Sequence, residues 1–115
     1  MNNCIFCKKI KEGSVNFETE DVVSFTPLNP VAKGHLLVVP VAHVEDFTQS
    51  PIVSARVMEV AAHISQEQKD INLITSKGKN STQSIKHLHI HLVPRRKGDG
   101  LYLPWTKALY DKKKI

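Results

Sequence analysis

Residues 87–92 read His-Leu-His-Ile-His-Leu, a strict alternation of imidazole and aliphatic side chains. On an extended chain successive side chains point to opposite faces, so His87, His89 and His91 share one face while Leu88, Ile90 and Leu92 share the other. A helix would scatter both sets around its axis; a strand separates them. The pattern predicts a strand over residues 86–93, packed into a core on one side and carrying three titratable groups on the other. His supplies only 6 of the 115 residues, so three at period two point to a built site rather than a polar face filled by chance.

The rest of the chain supplies what such a strand needs. The run from His35 to Val39, between Gly34 and Pro40, predicts a central strand, because Leu-Leu-Val-Val wants both faces covered. Ser50 before Pro51 reads as an N-cap with proline at the first helical position. Val53, Val57, Val60, Ala61 and Ile64 then form one apolar stripe, with Arg56, Glu59, His63 and Glu67 on another face in solvent. A short helix over residues 5–12 is expected to stop at Gly13. The segments 15–18 and 21–25 read as a hairpin, residues 72–75 as a strand and residues 76–84 as a hydroxyl-rich loop bending at Gly78. At 115 residues and 41% apolar content this is one domain, 1–115, with a basic tail from about residue 106.

Charge is uneven. Residues 86–115 carry eight Lys or Arg against two Asp, a balance of +6, and residues 1–85 carry eight against nine, −1. A basic C-terminal quarter favours phosphate-bearing ligands; for residues 111–115 a solvated tail is the plainer reading. Aromatics make up 6% and do not interleave with basic residues, so an extended nucleic-acid surface lacks stacking platforms. No apolar run reaches the roughly 20 residues of a membrane helix, and the polar start of the chain does not resemble a signal peptide, so a cytoplasmic location is expected.

The α-carbons of His87 and His91 would lie about 13 Å apart on a strand, too far for one ion with bonds of about 2 Å to take all three imidazoles. The row suits phosphoryl chemistry, in which a neutral imidazole attacks phosphorus while neighbouring donors hold the equatorial oxygens. Like charges about 6–7 Å apart disfavour full protonation, keeping at least one ring neutral near pH 7. Gln83 and Ser84, where the chain enters the strand, offer an amide and a hydroxyl to a phosphate.

His87 to Val93 resembles the signature of the histidine triad superfamily of nucleotide hydrolases and transferases. Gly34-His35-Leu36-Leu37-Val38-Val39-Pro40, with His43 after it, is similar to a second family segment, and Gln83-Ser84 stands where the family has Gln-Ser. The likeness covers residues 4 to about 105. It implies an α+β fold with a five-stranded antiparallel sheet, one longer and one short helix, and a homodimer with a continuous sheet. It implies His89 as the nucleophile forming a nucleotidyl-histidine intermediate, His91 as a phosphate ligand, and His35 and His87 as orienting groups. The substrate-side positions are Leu28, Asn29, Ser76, Gln83 and Ser84.

Three positions depart from the family pattern. Pro27 stands where an aspartate commonly grips the ribose, so weak discrimination between ribose and deoxyribose is expected, with Asn29 the nearest substitute. Ser76 replaces an asparagine near the phosphate. Ser81-Thr82-Gln83 replaces a glycine-containing tripeptide, which makes the phosphate loop bulkier.

Cys4-Ile5-Phe6-Cys7 has the spacing that lets two thiolates bind one metal ion from a single turn, but needs two further ligands. A structural disulfide fits poorly with a cytosolic chain, and a thioredoxin-like redox pair would want a preceding strand in a parallel fold. Bacterial members of the family's Hint branch with such a pair resemble one another in holding structural zinc through both cysteines, the histidine after the third strand and the first triad histidine. The ligands this implies are Cys4, Cys7, His43 and His87. The resulting expectation is a nucleotidyl hydrolase acting on nucleoside phosphoramidates or dinucleoside polyphosphates. The alternative is a zinc-stabilised nucleotide-binding module in which the departures have removed turnover.

Overall fold

The computed structural model describes residues 3–106; the lysine-rich segment expected at the C-terminus lies outside the described residues. Five strands form one antiparallel sheet in the order β1-β2-β3-β5-β4: β1 (Asn16–Phe17), β2 (Val22–Phe25), β3 (Leu36–Pro40), β4 (Ile71–Ile74) and β5 (Ile90–Pro94). Helix α1 (Ile5–Lys11) packs on one face and α2 (Pro51–Ser65) on the other. This is the α+β arrangement expected, with one long and one short helix.

Alternation decides which side chains reach which helix. Val22, Val38, Ile90 and Leu92 meet Val57, Val60 and Ala61 of α2, together with Leu88 and Val44. Val23, Phe25, Leu37 and Val39 meet Phe6 of α1. The register places Leu37 opposite His91, so the histidine face of β5 is the α1 face.

Both helices end as their sequences dictate. The Ser50 hydroxyl accepts from Val53 N–H at 3.3 Å, and Pro51 occupies the first turn, where its missing N–H costs nothing. The N-cap of α1 is Cys4, whose sulfur accepts from Cys7 N–H at 3.3 Å. Gly13, at φ +75°, lets α1 close with paired bonds from Gly13 N–H to Ile10 O and from Ser14 N–H to Lys9 O. His63 is exposed, as expected of the polar face of α2.

The strand expected over residues 86–93 is shorter at its start, running only from Ile90 to Pro94. Residues 85–87 bend, because the hydrogen bonds here go to the last carbonyl of β3 and to the loop after it rather than to a ladder. Leu88 N–H donates to Val44 O at 2.7 Å, and the His87 imidazole bonds to Pro40 O at 2.8 Å. On the other edge, the Thr75 hydroxyl donates to His89 O at 2.7 Å. The inward–outward alternation survives the bend: Leu88 is 1% exposed in the α2 core, and His87 is fully buried on the α1 side.

Candidate functional site: a histidine cleft beside a cysteine–histidine cluster

His35, His89 and His91 line one cleft of about 240 Å³, together with Ser76, Thr82 and Gln83. Gly34, at φ +87°, delivers His35 into it; a Cβ there would come within 3.2 Å of Pro94 Cγ, so only glycine turns the chain at this approach.

The hydrogen bonds fix the protonation pattern of the cleft. Val31 N–H donates to His35 Nδ1 at 3.0 Å, which makes that nitrogen an acceptor and puts the proton of the neutral ring on Nε2. His35 Nε2 lies 3.0 Å from His91 Nδ1 and donates to it. His91 in turn carries its proton on Nε2. Burial, reinforced by His89 and His35, pushes the His91 pKa down from 6.5 to about 4, and burial lowers that of His35, so both rings are neutral at pH 7. In His89, Nδ1 lies 2.8 Å from His87 O; a carbonyl only accepts, so Nδ1 carries the hydrogen, and the lone pair of the neutral ring is on Nε2.

His87 belongs to a second constellation. Its Nε2 donates to Pro40 O, leaving Nδ1 as an unprotonated donor atom aimed at Cys4 Sγ (3.3 Å), Cys7 Sγ (3.5 Å) and His43 Nδ1 (3.1 Å). Cys7 Sγ is 3.2 Å from His43 Nδ1, and the four ligand atoms all lie within 4.8 Å of one another. Tetrahedral zinc, with Zn–S of about 2.3 Å and Zn–N of about 2.0–2.1 Å, spaces its ligands roughly 3.3–3.8 Å apart. The cluster nearly matches that size, and the His87 tautomer set by Pro40 is the one a metal ligand requires. Two Cys and two His can therefore hold a metal ion here. Burial, with His43 and His89 nearby, lowers the His87 pKa as well.

The remaining expected residues divide. Ser76 and Gln83 reach the cleft wall, but the Gln83 amide is committed to the loop: it donates to Glu45 O (2.6 Å) and Ile85 O (3.1 Å) and accepts from Gly78 N–H (3.0 Å). Ser84 lines a separate groove beside Cys4 and His43. Leu28 and Asn29 stand exposed in the β2–β3 loop, Leu28 by 94%, and neither lines the cleft. Thr82 explains the departure noted at its position. It sits at φ +68°, ψ +27°, a left-handed conformation natural to glycine and costly for a β-branched residue. Sequence reasoning missed Val31, Thr75 and Phe6. The first acts through its main chain, which carries no residue signal, while Phe6 lies between the cysteines and was legible only as an apolar helix position.

A five-stranded antiparallel sheet that sets a row of alternating histidines against His35, at the entry to β3, defines a histidine triad protein. The HIT domain model matches residues 8–98, and the chain belongs to that family. Its sequence is 34% identical to the protein hit of Bacillus subtilis, over 96% of this chain and 84% of that protein. It is 31% identical to the adenosine 5′-monophosphoramidase HNT1 of Saccharomyces cerevisiae, over 97% of this chain and 75% of the yeast protein. Among solved structures, a HIT family hydrolase from Clostridium thermocellum superposes with a TM-score of 0.76 at 26% identity, covering 90% of this chain and 99% of that one. Hydrolase is the activity class that the yeast phosphoramidase and the Clostridium thermocellum protein carry. Among the described residues no helix is long and apolar enough to cross a membrane.

Proposed function

We propose that the chain is a nucleotide hydrolase that attacks the α-phosphorus of nucleoside phosphoramidates or dinucleoside polyphosphates through His89. The observation that carries this reading is the tautomer pattern: His89 Nδ1–H tied to a carbonyl, with its Nε2 lone pair beside a neutral His35–His91 pair that presents an N–H. His89 Nε2 forms a bond to phosphorus as the P–N or P–O bond to the leaving group breaks, and the leaving group takes the electron pair and a proton from solvent. His91 Nε2–H donates to a non-bridging oxygen, where charge accumulates, and His35 holds His91 in the tautomer that allows it. Water then attacks phosphorus, the phosphorus–imidazole bond breaks, and a nucleoside monophosphate and a proton are released. Ser76 offers a hydroxyl to the same phosphate. The Leu28–Asn29 loop and Ser84 are assigned to the outer parts of the substrate.

Cys4, Cys7, His43 and His87 are the residues that would hold zinc; bound there, the ion supplies a cross-link between α1, the loop after β3 and the entry to β5. The chain is further proposed to pair through β4, an edge strand with half-exposed Leu73 and Ile74, into a homodimer. Incubation with adenosine 5′-phosphoramidate and with diadenosine tetraphosphate, His89→Ala alongside, tests the activity. Release of AMP by wild type and not by the variant supports it; tight AMP binding with no turnover of either compound would replace it with a nucleotide-binding module. The strained Thr82 at the cleft wall is the feature that favours this second reading.

A further inference from the structure

Phe6 links the two constellations. It lies inside the Cys4–Cys7 turn, is 5% exposed, and packs its ring against Phe25 (centroids 5.2 Å), His87 (5.9 Å) and His89 (5.2 Å), each edge to face at 70–85°. The imidazole plane of a histidine turns about a broad sp³–sp² torsion, so the side chain alone does not set it. For His89 three contacts do: the Nδ1–H bond to His87 O, the ring of His91 at 5.2 Å, and Phe6. Two of these three, the His87 carbonyl and Phe6, belong to residues within or next to the cysteine–histidine cluster. The Cys4–Cys7 turn that carries Phe6 is itself half of the cluster, so the cluster and the aromatic contact to His89 share one backbone segment.

We propose that Phe6 is a positioning residue that transmits the closed state of the Cys4–Cys7–His43–His87 cluster to the His89 ring, keeping its Nε2 aligned with the cleft. The inference rests on the reading of His89 as the nucleophile. It assigns Phe6 no contact with the reacting atoms. A misplacement of about 1 Å in a reacting group costs on the order of a hundredfold in rate. Loss of the aromatic ring should therefore appear in kcat more than in KM, whereas a merely structural defect would lower the amount of folded enzyme.

The experiment compares wild type, Phe6→Leu, Phe6→Tyr, His89→Ala and Val57→Ala on adenosine 5′-phosphoramidate. Val57, fully buried on the α2 face, serves as a stability control remote from the cleft. In parallel, the ¹⁵N resonances of His89 report its tautomer in zinc-loaded and chelator-stripped protein. Expected are a ten- to hundredfold fall in kcat for Phe6→Leu with KM within threefold, rescue to within threefold by Phe6→Tyr, and a lower melting temperature with unchanged kcat for Val57→Ala. Stripping zinc from wild type should convert the His89 pattern from a single Nδ1–H tautomer to an average, and stripping it from Phe6→Leu should lower kcat less than twofold further, since both act through one ring. If Phe6→Leu fails to fold, the wild-type spectra decide: a His89 pattern unmoved by zinc removal overturns the inference. So does a kcat within threefold in Phe6→Leu, or equal losses in Phe6→Leu and Phe6→Tyr. Full turnover by His89→Ala would instead overturn the nucleophile assignment itself.

Discussion

The two faces of residues 87–92, the start of β5 and the segment leading into it, are made from alternate residues and live in different chemistry. On the α2 side, Leu88, Ile90 and Leu92 pack against Val57, Val60 and Ala61 with almost no surface left in water. On the α1 side, His87, His89 and His91 hold their neighbours by directional bonds to other imidazoles, two sulfurs and main-chain carbonyls. The first face needs only apolar volume, so its energy is spread over many contacts. The second needs a particular proton on a particular nitrogen. A side chain lost from the first should cost stability; loss of His89 from the second should cost chemistry, and loss of His87 a ligand of the proposed metal cross-link.

The largest expected effect breaks the comparison most directly. His89→Ala should lower kcat by at least about 10³-fold, on the order of 4 kcal/mol of transition-state stabilisation. Its melting temperature should stay within a few degrees of wild type. Thermal denaturation beside single-turnover kinetics checks both halves, and a large fall in stability would mean that the histidine face is also core.

Zinc should copurify at about one ion per chain, measured by elemental analysis. Its removal by a chelator should then cost about 4 kcal/mol of stability if the ion is present at a thousand times its Kd, an effect that Cys4→Ala abolishes. On the opposite face, Leu92→Ala should cost about 3 kcal/mol, within the usual range for a buried leucine, and leave kcat of the folded fraction within a few fold. Urea unfolding at constant m-value measures it.

Acid should act through the histidine side. His91 is neutral in the fold down to about pH 4, but in the unfolded chain it takes a proton near 6.5. Between those values the unfolded state binds more protons, so stability is full above pH 6.5 and falls as pH drops toward 4. His91→Asn keeps an acceptor for His35 and removes the titrating group, and its melting temperature should fall less steeply across that window. Equal slopes in the two proteins would assign the acid sensitivity to His35 and His87, whose pKa values burial also lowers.

The smallest effect lies at the edge of the cleft. Thr82→Gly removes the left-handed strain of a β-branched residue but gives back chain entropy on unfolding, for a net gain of about 0.5–1 kcal/mol. A melting-temperature rise of a few degrees checks it, and a fall would show that the Thr82 hydroxyl, which donates to Ser81 O, outweighs the strain.

Much of this architecture was legible in the order of residues. Period two in residues 87–92 separated the histidine face from the leucine face, and Ser50-Pro51 with a stripe at helical spacing placed the start of α2 to the residue, whereas Glu67, read as part of its polar face, lies beyond its end at Ser65. These are local signals, because side-chain direction along a strand or helix depends only on backbone geometry. The start of β5 was not legible, because the partners that bend residues 85–87 are the carbonyls of Pro40 and Val44, more than forty residues away. Nor was the division of labour among the histidines visible in the pattern itself: three identical side chains at equal spacing carry no label. The tertiary structure brought Cys4 and Cys7 to His87, and His35 to His91, across 83, 80 and 56 residues of chain. It then chose each ring's tautomer with main-chain groups: Pro40 O for His87, His87 O for His89 and Val31 N–H for His35. Every residue has a carbonyl and nearly every one an N–H, so no sequence can mark which of them will meet an imidazole; only the folded path of the chain decides that.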